Sequence, residues 1–215
     1  MSPISSISAT SFCIDRPAFT NDAMKLKNLP TLLIIAAFIS GCSSSNELVR
    51  EKLDPLTAVT ITSSASPLIF YRDNSAHAAH ARDFVYVGPV RVNNMGAYRY
   101  FLWFGVWSAI PDTPPSSQRD GFETVTIFAD GEPLQLSLAG WGPTSIGASE
   151  AVYLKPVASA ADAYCEVTVD QIRFIAESRD IRLLSSGPAQ SSYELWDNQQ
   201  AAFQSLRKFL DAASY

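Results

Sequence analysis

Chemistry that needs a side chain titrating near neutral pH has only two histidines to draw on in this chain, His77 and His80. They stand three apart in the alanine-rich stretch Asn74-Ser75-Ala76-His77-Ala78-Ala79-His80-Ala81-Arg82-Asp83. On a helix that spacing puts both imidazoles on one face, where they would offer two ligands to a divalent metal, with Asp73 or Asp83 as a third. Zinc motifs normally supply three or four well-placed ligands, and no Glu follows His77 as the metalloprotease pattern requires, so a solvated loop or short helix is the plainer reading. A serine hydrolase would have to take its base from the same pair. No Gly-x-Ser-x-Gly elbow occurs, and Ser145 in Gly142-Pro143-Thr144-Ser145-Ile146-Gly147 lacks its glycine spacing. Glu123, Asp130, Glu132, Glu150 and Glu166 fall at turns or on alternating strand positions and read as solvated faces, not as a glycosidase pair. Cys165 has no partner within the body of the chain and reads as a small core residue. Nothing in the sequence calls for a cofactor. Aromatic anchors are the other route to function, and Trp103, Trp107 and Trp141 are the candidates.

The elements that must position these residues read as mainly β. Short β-like runs at 58–62 and 68–71 are split by the turn-like Ser63-Ser64-Ala65-Ser66-Pro67. Phe84, Tyr86, Val90 and Val92 then alternate, and Asn93-Asn94-Met95-Gly96 supplies residues tolerant of left-handed turn angles, which predicts a hairpin. Its second arm, 98–110, puts Tyr98, Tyr100, Leu102, Phe104, Val106 and Ile110 on one face and Phe101, Trp103, Trp107 and Ala109 on the other. Both faces are apolar, which predicts a central strand covered on two sides or an aromatic surface that meets a partner. Asp130-Gly131 between 124–129 and 134–138 predicts a second hairpin, 140–149 an irregular connection, and 152–157 and 164–169 further strands. Asp170 is placed to cap a helix that turns Ile172, Ile175 and Ala176 inward, and 181–184 and 193–196 return to strands. Asp197 with Gln200 resembles a capping box, and Phe203, Leu206, Leu210 and Ala213 repeat at helical spacing.

The N-terminal region reads as a targeting segment. From Met24 onward, Lys25 and Lys27 form a basic region, 29–39 is apolar apart from Pro30 and Thr31, and Ile39-Ser40-Gly41-Cys42 follows. This is the three-part layout of a secretory signal peptide. Its last four residues resemble the lipobox of bacterial lipoproteins: an aliphatic residue, a small one, Gly or Ala, then Cys. The resemblance implies diacylglycerol on the Cys42 thiol, cleavage between Gly41 and Cys42, and an acylated new amino terminus. The stretch 29–41 is too short to span a bilayer, which needs about 20 apolar residues, and it has no polar face with which to pack as a surface helix. Two or three acyl chains hold firmly, at about 0.8 kcal/mol per buried methylene. Ser43 follows the cysteine where Asp would signal retention in the inner membrane, so the resemblance implies the outer membrane facing the periplasm, with inner membrane or cell surface left open. Residues 1–23 are read as a mis-assigned start, with Met24 the true one, or as an N-terminal extension.

The chain carries 16 basic and 21 acidic residues. Three and two of these precede position 43, leaving 13 basic and 19 acidic in the body. No run of Lys or Arg supplies the clustered basic surface that phosphate binding needs, so nucleic acid is not an expected partner. The chain as a whole is 47% apolar and 17% charged, and its body is expected to fold as one domain. The expected layout is a leader at 24–41, a lipidated tether at 42–55 and a single β-rich domain at 56–215. The expected fold is α+β, mainly β: an antiparallel sheet or β-sandwich of meander hairpins with a short helix and a C-terminal helix packed on it. The expected function is that of a membrane-anchored cell-envelope lipoprotein acting as a non-catalytic binding module toward an envelope protein or cell-wall material. The alternative is an envelope enzyme or metal-binding protein that uses His77 and His80.

Overall fold

The computed structural model describes residues 47–74, 80–110, 119, 122–186 and 191–213; the leader, Cys42 and His77 lie outside them. In chain order the elements are β1 (Val49–Leu53), β2 (Thr60–Ser64), β3 (Leu68–Asp73), β4 (Arg82–Asn94), β5 (Ala97–Ser108), β6 (Thr124–Ala129), β7 (Glu132–Trp141), a 3-10 turn (Pro143–Ile146), β8 (Ala161–Val167), α1 (Val169–Glu177), β9 (Ile181–Ser185), β10 (Ser191–Leu195) and α2 (Gln200–Ala213). The protein is mainly β, with α2 at its C-terminal end.

The sheet is not a sandwich. Antiparallel pairing runs β4-β3-β10-β9-β6-β7-β8-β5, and β5 returns to pair with β4, so eight strands close into a barrel. Closure follows from the length of the β4–β5 hairpin, whose two arms remain paired from Asp83↔Ser108 to Asn94↔Ala97 while β4 also holds β3 and β5 also holds β8. With both edges of each arm occupied, no edge is left to solvent at this seam. β4 is long enough to take two partners along one edge, β3 opposite its first half and β2 opposite its second. Pro89, which has no N–H to donate, falls at the gap between them.

Both hairpin turns form where the sequence places them. Met95 (φ 51°) with Gly96 (φ 92°), and Asp130 (φ 51°) with Gly131 (φ 89°), are two-residue turns with both φ values positive, the geometry whose twist matches the flanking strands. The Asp130 carboxylate also accepts from the N–H groups of Arg179 (3.0 Å) and Asp180 (2.9 Å), which tie β9 to this turn and lower the carboxyl pKa.

Three expectations are corrected. The stretch read as a tether contains β1, paired with β2 from Val49↔Ser64 to Leu53↔Thr60, so the folded body begins before residue 56. Alternation explains the strand: Val49 packs on the core, whereas Arg50 and Lys52 take the opposite face. Residues 152–157 form no strand; Tyr153 is buried against the sheet, and Pro156 has no N–H for a ladder. Thr168, not Asp170, caps α1: its Oγ1 accepts from Gln171 N at 3.2 Å while Gln171 Oε1 accepts from Thr168 N at 2.9 Å.

Two apolar clusters sit on opposite faces of β4 and β5. The inner one contains Phe70, Val85, Val87, Leu102, Phe104, Ile127 and Leu183, with Ile172, Ile175, Leu206 and Phe209 from the two helices. The outer one contains Ile61, Val90, Phe101, Trp103 and Tyr164, under Ile146, Ala148 and Tyr153 from the connection between β7 and β8. Two glycines make the outer layer possible. A Cβ on Gly88 would lie 2.4 Å from the Tyr153 ring, and one on Gly105 would lie 2.5 Å from the Trp103 ring. These bare positions let the two rings lie flat on the sheet and stack on each other, with centroids 4.5 Å apart. Gly88→Ala and Gly105→Ala are each expected to destabilise by about 1–3 kcal/mol through overpacking, read as a lower urea midpoint. An unchanged midpoint in both variants would show that the outer stack does not depend on this fit.

Candidate functional site

Burial separates the residues singled out from the sequence. Trp103, expected as an anchor, is 1% exposed; its Nε1 donates to Asp162 Oδ1 at 3.1 Å, and Asp162 Oδ2 lies 2.9 Å from Lys155 Nζ. It is an interior residue of the outer layer and cannot meet a partner in this fold. Trp141 is half-buried and packs on the inner cluster. A register shift between Leu138 and Gly140 adds one residue to β7 opposite β8, which brings Trp141 opposite the core residue Ala163. The Arg119 guanidinium lies 5.4 Å from its ring centroid.

His80 is exposed in the turn before β4, and its partner in the expected pair lies outside the described residues. Both carboxylates expected as a third ligand are engaged by cations. Asp83 accepts from Arg72 Nε and Asn74 Nδ2, each at 2.9 Å, and Asp73 accepts from Arg82 Nε at 3.0 Å. Among the described residues no three His, Cys, Asp or Glu side chains gather in a way that suits a metal ion. Ser145 Oγ donates to Gly142 O at 2.7 Å within the 3-10 turn. Glu166 pairs with Arg99 at 2.8 Å, and Glu150 pairs with Lys52. Cys165 is buried in the inner cluster, and burial pushes its thiol pKa up to about 12.

Trp107 stands apart from these. It ends a cross-strand row of three aromatic residues on the outer face of the barrel, Tyr71 on β3, Phe84 on β4 and Trp107 on β5. Phe84 and Trp107 stack with centroids 4.4 Å apart and planes 14° apart. Tyr86 meets Trp107 edge-on at 6.1 Å. Trp196 follows β10 and is held beside β3 by its N–H donating to Ile69 O at 2.8 Å. It packs edge-on to Tyr71 at 5.1 Å and lies 5.9 Å from Phe84. The Arg82 guanidinium lies close to both the Tyr71 (5.1 Å) and Trp196 (5.2 Å) rings, two cation–π contacts to one charge. Trp196 is 36% exposed and the other four rings are half-buried. Among the described residues, Trp107 Nε1 is a buried donor with no hydrogen-bond partner.

The ribbon therefore presents five aromatic side chains and an arginine on the same sheet face as the buried outer cluster, beyond the edge of its covering segment. Sequence reasoning reached Trp107, and it reached Phe84 and Tyr86 as members of an alternating strand. It missed Tyr71 and Trp196, because their approach depends on β3–β4 pairing and on the course of the chain after β10, neither of which leaves a local signal. No family model, curated protein or solved structure matches the chain.

The burial of Cys165 has a direct consequence. The native protein at pH 8 is expected to leave this thiol unreacted toward a disulfide reagent and to release it on unfolding in urea. Rapid stoichiometric labelling of Cys165 in the native state would contradict the packing described.

Proposed function

We propose that this chain is a lipid-anchored protein of the bacterial cell envelope whose barrel domain is a non-catalytic docking module, with the Tyr71–Phe84–Tyr86–Trp107–Trp196 ribbon as its contact surface. The anchor reading rests on the lipobox resemblance of Ile39-Ser40-Gly41-Cys42 and places the domain on the outer membrane facing the periplasm. The docking reading is carried by one observation: the ribbon lies half-exposed on the outer face of the barrel, past the cluster that is buried on the same face. Recognition at the outer surface is consistent with that arrangement.

The occupant that suits the ribbon is another envelope protein. Aromatic residues and arginine dominate the energetic centres of protein interfaces, and Arg82 brings the positive member into the patch. A glycan platform needs an open ring face, whereas Phe84 and Trp107 cover one face of each other. The exposed rim pair Asp73–Arg82 adds hydrogen-bonding capacity that a protein backbone can meet.

The test is affinity purification of the full chain from detergent-solubilised membranes, comparing the parent with Trp196→Ala, Tyr71→Ala and Cys42→Ser. The parent is expected in the membrane fraction, with mass spectrometry finding a thioether-linked diacylglycerol at Cys42, and with one protein enriched beside it. Trp196→Ala and Tyr71→Ala are expected to keep the anchor and a single cooperative unfolding transition while losing the partner at least tenfold, which corresponds to about 1.4 kcal/mol. Cys42→Ser is expected to lose the lipid. Partner recovery unaffected by both ribbon variants would sink the docking surface, recovery of cell-wall glycan in place of a protein would overturn the choice of occupant, and an unmodified Cys42 would sink the anchor.

A further inference from the structure

The β1–β2 ribbon and the segment that faces it enclose a cavity of about 110 Å³, lined by Arg50, Lys52, Ile61, Ser63, Glu150 and Val152 among others. Register explains why both cations look into it. Arg50 pairs with Ser63 and Lys52 with Ile61, so these four side chains share one face of the ribbon. Water needs roughly 10–15 Å³ on the same measure, so the space admits a ligand of several heavy atoms.

The walls are held by Asp54. Its Oδ1 accepts from Leu56 N (3.0 Å), Thr57 N (3.3 Å) and Ser149 Oγ (2.7 Å), and its Oδ2 accepts from Ser149 N (2.6 Å). These bonds, led by those from Ser149, lower the Asp54 pKa well below the usual carboxylate range. They tie the β1–β2 connection to the segment entering Glu150, and they occupy the carboxylate that would otherwise compete for the cations. The Lys52–Glu150 pair at the rim is 59% exposed on both sides, a setting in which an ion pair contributes little and opens easily. Arg50 has no ion pair or side-chain hydrogen bond among the described residues. The floor adds the apolar side chains of Ile61 and Val152 and the small Ala151.

We propose that this cavity binds a small carboxylate bearing a short aliphatic group, with the carboxylate on the Arg50 guanidinium and the aliphatic part on Ile61 and Val152. Guanidinium and carboxylate match in a two-pronged fork, and a methyl-sized or slightly larger group fills the remaining space. The same chemistry is offered by a free short-chain acid and by the C-terminal carboxylate of a peptide ending in a small aliphatic residue. The site is independent of the aromatic ribbon.

The test is a titration of the full chain in detergent with propionate, N-acetylalanine and N-acetylalanine amide, followed by backbone amide chemical shifts. At concentrations of order 10 mM, where a millimolar site saturates, the proposal expects saturable shifts at Ser63, Ala151 and Val152 with N-acetylalanine. Arg50→Ala, an exposed side chain whose loss should leave the fold intact, is expected to weaken binding at least tenfold, with Arg50→Lys between it and the parent. Saturation by N-acetylalanine alone assigns the site to a peptide carboxylate, and saturation by propionate as well assigns it to carboxylates generally; both support the proposal. Absence of saturable shifts, equal shifts from the neutral amide, or binding that survives Arg50→Ala would each overturn it.

Discussion

Along Phe101 to Val106 neither face of β5 can be left to water. Its inward side carries Leu102, Phe104 and Val106, its outward side Phe101 and Trp103, and burying one large apolar side chain is worth about 1.5–3 kcal/mol. Set against a net folding stability of about 5–15 kcal/mol, exposing either side would consume much of the margin. Covering the first side requires a barrel interior, and covering the second requires a layer outside the barrel. The irregular connection between β7 and β8 supplies that layer, which is why a stretch without regular structure holds buried residues such as Ile146 and Tyr153.

The polar groups of the outer layer follow from this demand. A buried indole N–H needs an acceptor, which Asp162 provides, and the buried carboxylate needs a cation, which Lys155 provides. Tyr153 buries its ring on the sheet and directs its hydroxyl to Pro89 O at 2.8 Å and to Ser64 Oγ at 2.9 Å. The outer cover reaches along β4 and β5 only over Val90, Phe101 and Trp103; past Gly105 the rings of Tyr86, Phe84 and Trp107 are half-exposed. The proposed docking surface is thus the uncovered remainder of the same two-sided strand, and the carboxylate cavity lies at the other side of the cover, where β1 and β2 meet it.

Much of this was readable in the sequence where the signal is local. Alternation assigned the two faces of β5 residue by residue, Asp130-Gly131 fixed a turn, and Ile172, Ile175 and Ala176 marked the buried side of α1. What escaped depends on pairings between distant segments. Closure into a barrel in place of a sandwich is set by which strand completes the free edge of β4, and no periodicity encodes that choice. The 152–157 run looked like a strand because apolar residues surround Tyr153, yet it joins no ladder: the Tyr153 hydroxyl bonds Pro89 O and Ser64 Oγ, and Lys155 Nζ donates to Ala160 O. β1 was hidden by its charges: Arg50, Glu51 and Lys52 suggest a solvated tether, but a two-stranded ribbon tolerates charge on a face that lines a cavity. Of the three tryptophans marked as anchors, only their neighbours distinguish buried Trp103 from accessible Trp107, and those neighbours come from β8, β10 and the covering segment.

Native-state hydrogen exchange along β5 is the most direct test of a strand covered on both faces. The amides of Phe101 to Val106 should exchange only through global unfolding, in step with Val85 and Val87 on β4, while Arg50 to Leu53 on β1 exchange through local opening. Exchange of Phe101 and Trp103 at rates like those of β1 would mean that the outer layer opens independently, and would contradict the two-sided burial on which the fold and both proposed surfaces depend.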